Sequence, residues 1–109
     1  KGIPANQVFV PAVVWFELEY GVLRSNRPEL QRRGMESVQR AYQILNFDAA
    51  SAKSAARIKH ALDAAGTPIG NSDLLIAATA LASDLTLVTR NRREFERVPG
   101  LRVENWYDN

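Results

Sequence analysis

Glu17 is the first side chain in this sequence whose type and position could support chemistry. On a helix, its neighbours one turn away in either direction are Val13, Val14, Tyr20 and Gly21, so it lies on a largely apolar face. A carboxylate buried there needs a metal ion or a cationic partner, because burying it unpaired is costly. The alternative is a position at the helix edge, where Glu17 reaches water or pairs with an arginine.

Asp73 and Asn91 are two further candidates. Asp73 stands at the mouth of a strongly apolar helix, and Asn91 comes two residues after a β-branched run that predicts a buried strand. Ordinary roles remain open for both side chains. Asp73 could be a first-turn acid, with Asn71 or Ser72 as the helix cap, and Asn91 could simply occupy a turn.

Short strands alternate with helices along the chain, which predicts an α/β fold with a parallel central sheet flanked by helices. In such sheets, ligands bind beyond the carboxyl ends of the strands, where Asn91 would lie. Either Asp48 or Ser51 is expected to cap the third helix. The predicted strands cover residues 8–10, 44–47, 85–89 and 101–104, and the predicted helices cover residues 12–24, the segment from residue 28, and residues 49–65, 74–82 and 92–96.

The composition is that of one globular domain over residues 1–109. Hydrophobic residues make up 46% and charged residues 24%, which argues against disorder. The absence of cysteine excludes disulfides and thiolate metal sites, and it fits a cytoplasmic protein. No signal peptide and no membrane span are expected. His60 is the only histidine, and one histidine makes no zinc site.

The basic residues are unevenly distributed, although the net charge is only +2. Local arginine clusters suit a nucleic-acid partner, but a solvated surface explains such clusters more often. One cluster contains Arg24, Arg27, Arg32 and Arg33, and the other contains Arg90, Arg92, Arg93 and Arg97.

Four segments resemble the motifs of VapC-type PIN domains, in the order and near the spacing of that family. WFELEYGV (residues 15–22) resembles the second-acid motif, and IGNSDLLIAA (residues 69–78) resembles the third. LVTRNRREF (residues 87–95) resembles the fourth motif, and VPGLRVENW (residues 98–106) resembles the closing strand. The resemblance covers essentially the whole chain, and it implies a PIN-like three-layer sandwich with a parallel central sheet.

Two departures from the family pattern bear on function. The family opens with a hydrophobic strand ending in an aspartate, and nothing here matches it; residues 1–7 resemble the loop that follows. Residues 1–109 are therefore expected to form a single PIN domain without its N-terminal strand and first metal-site aspartate. Many relatives also carry a histidine where Arg93 and Glu94 stand, so no histidine role is carried over.

The resemblance implies a ribonuclease that uses Mg²⁺ or Mn²⁺. By resemblance, Glu17 and Asp73 are metal ligands, and Asn91 completes the catalytic group as a polar orienting residue. Arg90 and its neighbours Arg92 and Arg93 are expected to hold RNA phosphates.

The expected partners also follow from the resemblance. They are an RNA substrate, a VapB-type antitoxin that neutralises the toxin, and a second copy of the chain. The homodimer is expected to form through helices within residues 17–27 and 30–45, and the protein is expected in the prokaryotic cytoplasm.

A non-catalytic module that binds antitoxin or RNA is the alternative. The unmatched first aspartate favours it, as does Asn91 in the place of a fourth acid. The codons upstream of Lys1 discriminate between the two functions, because a hydrophobic strand ending in aspartate favours the enzyme.

Overall fold

The computed structural model describes residues 9–89 and 91–104. Within these, the helices and strands follow the predicted α/β alternation, and both strand pairings are parallel. The chain divides into two compact units, residues 1–46 and residues 47–109. Each unit contains one pair of parallel strands together with its own helices.

In the first unit, two helices lie between the paired strands. Strand β1 (Phe9–Pro11) leads directly into helix α1 (Ala12–Arg24), and helix α2 (Pro28–Ala41) leads into strand β2 (Gln43–Leu45). Pro11 ends β1 and immediately precedes α1, one position before the first-turn place predicted for it. Pro28 opens α2 as predicted, since its missing N–H costs nothing at a helix start.

The core of the first unit forms where α1 packs against α2. Trp15 and Val22 lie two turns apart on α1 and meet Met35 of α2, with Val10 and Val38 packed against them. Trp15 is thus a core residue of this unit. An ion pair between Glu19 and Arg32 joins the same two helices at the surface.

In the second unit, α3 (Ala49–Ala64) packs along α4 (Asn71–Ala82). The N-cap of α3 is Asp48, whose carboxylate accepts hydrogen bonds from the backbone N–H and the hydroxyl of Ser51. These bonds lower the pKa of Asp48. The predicted cap is therefore confirmed, with Ser51 as its donor.

Helix α4 is buried along most of its length, as its apolar sequence predicted. Ala77, Ala78 and Thr79 have no exposed surface, and the Thr79 hydroxyl donates to the carbonyl of Leu75. This bond satisfies the one polar side chain in the helix interior. None of the helices among the described residues is long and apolar enough to cross a bilayer.

The remaining elements of the second unit are short. They are strand β3 (Leu87–Val88), helix α5 (Arg92–Phe95) and strand β4 (Val103–Glu104), and β3 pairs in parallel with β4. The strands are shorter than the predicted 85–89 and 101–104. At the turn after α4, Asp84 has a left-handed backbone with φ 55°, and Arg102 donates to both its carboxylate and its carbonyl.

Candidate active site

Asp73 lies in the first turn of α4 and is half-buried. The helix begins at Asn71, and Gly70 is its N-cap residue with an extended backbone. The prediction that Asn71 or Ser72 caps this helix is therefore wrong, because both residues already belong to its first turn. No side chain caps α4. Asp73 is the only acidic residue in the first turn of this helix.

The pKa of Asp73 is raised, first by burial and second by the negative charge of Glu94. A carboxylate in the first turn of a helix normally gains from the helix dipole, which favours its charged form. Here the loss of hydration and the repulsion from Glu94 outweigh that gain. Burial and Glu94 thus both disfavour the charged form of Asp73, which a bound cation would favour.

Glu94 is held by an arginine that also contacts the chain before α4. Nη1 of Arg97 lies 3.7 Å from Oε1 of Glu94 and donates a hydrogen bond of 3.0 Å to the carbonyl of Pro68. The end of α5 is therefore tied to the loop that leads to Asp73. This tie helps to keep Glu94 and Asp73 in their relative positions.

Asn91 occupies the N-cap position of α5, directly after the β3 region. Its backbone N–H donates to the hydroxyl of Thr89 at 3.0 Å, and its carbonyl accepts from the N–H of Phe95. The side chain makes no capping hydrogen bond and is exposed. Its amide is therefore available to a ligand, although the backbone role is that of a turn residue.

Glu17 is exposed on α1, in the first unit. The predicted apolar face contains only partly buried residues at Val13, Val14 and Gly21, and the buried side of α1 is formed by Trp15 and Val22 instead. The described contacts of the first unit thus leave the Glu17 carboxylate in water.

The arginines expected to hold RNA fall into three cases. Arg92 is exposed and forms an ion pair with Glu96 at 2.8 Å, while Arg93 is exposed. Arg90 lies outside the described residues. Arg92 can turn from Glu96 to a phosphate at little cost, because an exposed ion pair is weak.

The donor chemistry of the second unit fits a hard divalent cation. Carboxylate oxygens such as those of Asp73 and Glu94 are the ligands that Mg²⁺ prefers, with water completing the coordination. Across residues 9–89 and 91–104, no three acidic or histidine side chains come together as a metal-binding group. The described acids of the second unit therefore do not form a complete cation site by themselves.

Glu94 and Arg97 are the site residues that sequence reasoning missed. Glu94 was considered only as a departure from a histidine position, and Arg97 only as a member of a basic cluster. The available signal was their spacing of three residues, which places them on the same side of a helical turn. Their link to Pro68 and Asp73 has no local sequence signal.

Comparison with known proteins identifies the family. The PIN domain matches residues 2–101. Ribonuclease VapC2 of Rickettsia felis is 37% identical over 101 residues, which are 93% of this chain and 75% of the relative. The tRNA(fMet)-specific endonuclease VapC of Shigella flexneri is 39% identical over 101 residues, which are 93% of this chain and 76% of the relative.

Solved structures agree with the sequence comparison. VapBC2 from Rickettsia felis, bound to a DNA fragment from its promoter, superposes with a TM-score of 0.88 at 37% identity, over 93% of this chain and 76% of the other. VapBC-1 from nontypeable Haemophilus influenzae gives a TM-score of 0.87 at 28% identity, over 95% and 78%. The predicted α/β PIN fold is confirmed, and the chain belongs to the PIN-domain family and, within it, to the VapC group.

Proposed function

We propose that this protein is a metal-dependent endoribonuclease toxin, which hydrolyses RNA phosphodiester bonds and is neutralised by a cognate antitoxin. The observation that carries the proposal is the half-buried Asp73 beside Glu94, in a chain of the VapC group. Similar proteins are named ribonuclease and tRNA(fMet)-specific endonuclease, which supports hydrolysis of RNA.

Mg²⁺ or Mn²⁺ is the proposed cofactor, with Glu17 and Asp73 as ligands. Asp73 fits this role because burial and Glu94 both disfavour its charged form. A bound cation would therefore stabilise this carboxylate more than it would stabilise a solvated one. Glu94 adds a further anionic oxygen donor to the proposal, and the exposed amide of Asn91 can orient water or phosphate. When bound, the cation lowers the pKa of a water molecule and offsets charge on the attacked phosphate.

The proposed partners are RNA, a VapB-type antitoxin and a second copy of the chain. Structural neighbours include VapBC complexes from Rickettsia felis and Salmonella typhimurium, which supports an antitoxin partner. Arg92 and Arg93 are exposed and remain candidates for phosphate contacts, together with Arg90. Homodimerisation stays a prediction from the family resemblance. An RNA substrate and a cysteine-free chain both support a place in the prokaryotic cytoplasm.

The test is RNA cleavage by the protein made from its full reading frame and purified away from antitoxin. We expect cleavage of transfer or ribosomal RNA with Mn²⁺ or Mg²⁺, and none in excess EDTA. Asp73→Asn should reduce the rate by roughly a thousandfold or more, as loss of a group essential to catalysis does. Asp63→Asn is the matched control, because Asp63 is an exposed aspartate that pairs with Lys59 on α3.

A catalytically incomplete module that binds antitoxin or RNA is the second candidate. It is favoured by the lack of a three-acid metal group among the described residues. The same assay separates the two functions. Cleavage that persists in EDTA, or that Asp73→Asn leaves unchanged, contradicts the metal-dependent enzyme, and RNA binding without any cleavage supports the module.

A further inference from the structure

One exposed face of α1 carries three flat side chains, each one helical turn from the next. The rings of Phe16 and Tyr20 lie nearly parallel, with an interplanar angle of 8° and centroids 6.5 Å apart. The guanidinium of Arg24 lies over the Tyr20 ring, 5.0 Å from its centroid. We call these three residues the α1 ladder. Their i, i+4 spacing explains why they form one continuous surface.

The α1 ladder is in water rather than in the core of its unit. Phe16 is 65% exposed and Tyr20 is 53% exposed, whereas Trp15 and Val22 supply the buried side of the same helix. Two aromatic rings left in water forgo the stabilisation that burial gives. Folding of the unit therefore does not account for their exposure, whereas contact with a ligand, or with the second copy of the chain expected at residues 17–27, would.

The ladder lies on the same helix as a proposed metal ligand. Glu17 directly follows Phe16 and precedes Tyr20 by three residues, so it projects from the side of α1 next to the ladder. A substrate held at Glu17 would therefore lie beside the ladder.

The charges on this part of α1 favour an anionic ligand with flat groups. Arg24 at the end of α1 and Arg27 just before α2 are exposed, and the nearby acid Glu19 is paired with Arg32 at 3.6 Å. Unpaired nucleotides present flat bases and anionic phosphates, and aromatic rings and arginine planes complement both.

An apolar protein segment has a better place to dock in the same unit. A groove of about 350 Å³ between α1 and α2 is lined by aliphatic side chains that include Leu18, Leu30, Met35 and Val38. No member of the α1 ladder lines this groove. The flat, partly cationic ladder is thus chemically distinct from the aliphatic groove.

We propose that the α1 ladder binds unpaired bases of the RNA substrate by stacking, and that Arg24 extends the stack and contacts the adjoining phosphate. This proposal rests on the proposed ribonuclease function and adds a structural class of substrate to it, namely RNA with unpaired nucleotides. The ladder is a binding surface and takes no part in the chemical step.

The test measures binding of a fluorescein-labelled RNA hairpin with an unpaired loop, by fluorescence anisotropy, in excess EDTA, where the proposed enzyme does not cut the probe. The protein with Asp73 intact serves as the parent. Adding Tyr20→Leu should weaken hairpin binding about tenfold, because stacking on one ring contributes on the order of 1–3 kcal/mol per base. Phe16→Leu should act in the same direction, and Tyr20→Phe should bind like the parent because it keeps the ring.

Two controls accompany these variants. Leu23→Ala alters another exposed side chain of α1 that lies outside the ladder, and it should leave hairpin binding unchanged. A fully paired RNA duplex should bind all variants alike, because its bases are not free to stack. Circular dichroism checks that each variant keeps its helices.

Each alternative outcome has one meaning. Tyr20→Leu that binds the hairpin as well as the parent overturns the ladder proposal, as does an equal loss for hairpin and duplex. A variant that keeps RNA binding but loses the antitoxin assigns the ladder to the antitoxin instead, and one that keeps RNA binding but becomes monomeric assigns it to the homodimer. Failure of the protein with Asp73 intact to bind or cut any RNA overturns the ribonuclease function itself, which distinguishes the two failures.

Discussion

Helices α1 and α4 carry the two proposed metal ligands in opposite settings. Glu17 is exposed on an amphipathic helix whose buried side faces α2, whereas Asp73 is half-buried at the start of a helix that is apolar almost all round. Asp73 also has a like-charged neighbour, Glu94, within its own unit. The difference shows that local packing disfavours the charged form of Asp73, whereas it leaves the Glu17 carboxylate in water.

The largest expected effect is on stabilisation by metal. Saturating Mn²⁺ should raise the melting temperature of the full-length protein, because a ligand at about 100 times its Kd adds about 2.7 kcal/mol of stability. Asp73→Asn should abolish this rise, and Glu17→Gln should only reduce it. Thermal unfolding with and without Mn²⁺ measures the difference. Equal loss in both variants would show that the two settings do not matter for metal binding.

Core packing of the two helices gives the next effect. Ala78→Leu adds volume to a site on α4 with no exposed surface, so it should lower the free energy of unfolding by about 1–3 kcal/mol. Leu23→Ala on α1 removes a side chain that is 77% exposed, and it should change stability by less than about 0.5 kcal/mol. Urea unfolding measures both, and similar losses would contradict the contrast between the helices.

A smaller effect is expected from the tie that holds the surroundings of Asp73. Arg97→Ala removes a hydrogen bond to the Pro68 carbonyl and an ion pair with Glu94, and it should cost about 1 kcal/mol, because the side chain is partly exposed. Arg92→Ala is the control, since it removes an exposed ion pair with Glu96 worth about 0.3–0.5 kcal/mol. Equal losses in urea unfolding would mean that Arg97 stabilises the protein no more than the exposed ion pair of Arg92 does.

The smallest expected effect is a pH dependence of the metal-free protein. The pKa of Asp73 is raised on folding, so its contribution to stability is complete below the unfolded value, near 3.8, and is lost as pH rises through the folded value. Metal-free wild type should therefore lose stability relative to Asp73→Asn as the pH rises from the unfolded pKa, near 3.8, through the raised folded pKa. Asp48, whose lowered pKa changes stability with pH in the opposite direction, is present in both proteins. Its contribution therefore cancels when the two stabilities are subtracted. A constant difference across this range would contradict the raised pKa.

Where information is local, the sequence was sufficient to predict the structure. The burial of α4 follows from its composition, and the Asp48 cap follows from a short-range pairing with Ser51. The start of α4 was placed too late, because Gly70 carries no side chain that signals a cap. Strand ends were also misplaced, since β-branched runs extend beyond the paired residues.

The candidate site was predictable only in part. Asp73 and Asn91 were proposed from their positions and from motifs, whereas the roles of Glu94 and Arg97 depend on contacts between segments that are distant in sequence. Such contacts are set by tertiary packing, and no local pattern encodes them. The exposure of Glu17 in its unit agrees with the alternative of a helix-edge position in water, between which and a buried position periodicity did not decide.

Both arginines that hold the ends of α4 lie beyond it in the sequence. Arg97 binds the carbonyl of Pro68 before the helix, and Arg102 binds Asp84 just after it. Because a chain is synthesised from its N-terminus, α4 obtains neither tie until the segment containing these arginines has left the ribosome. The surroundings of Asp73 therefore depend on contacts that can form only after the segment from Glu94 to Arg102 has been made.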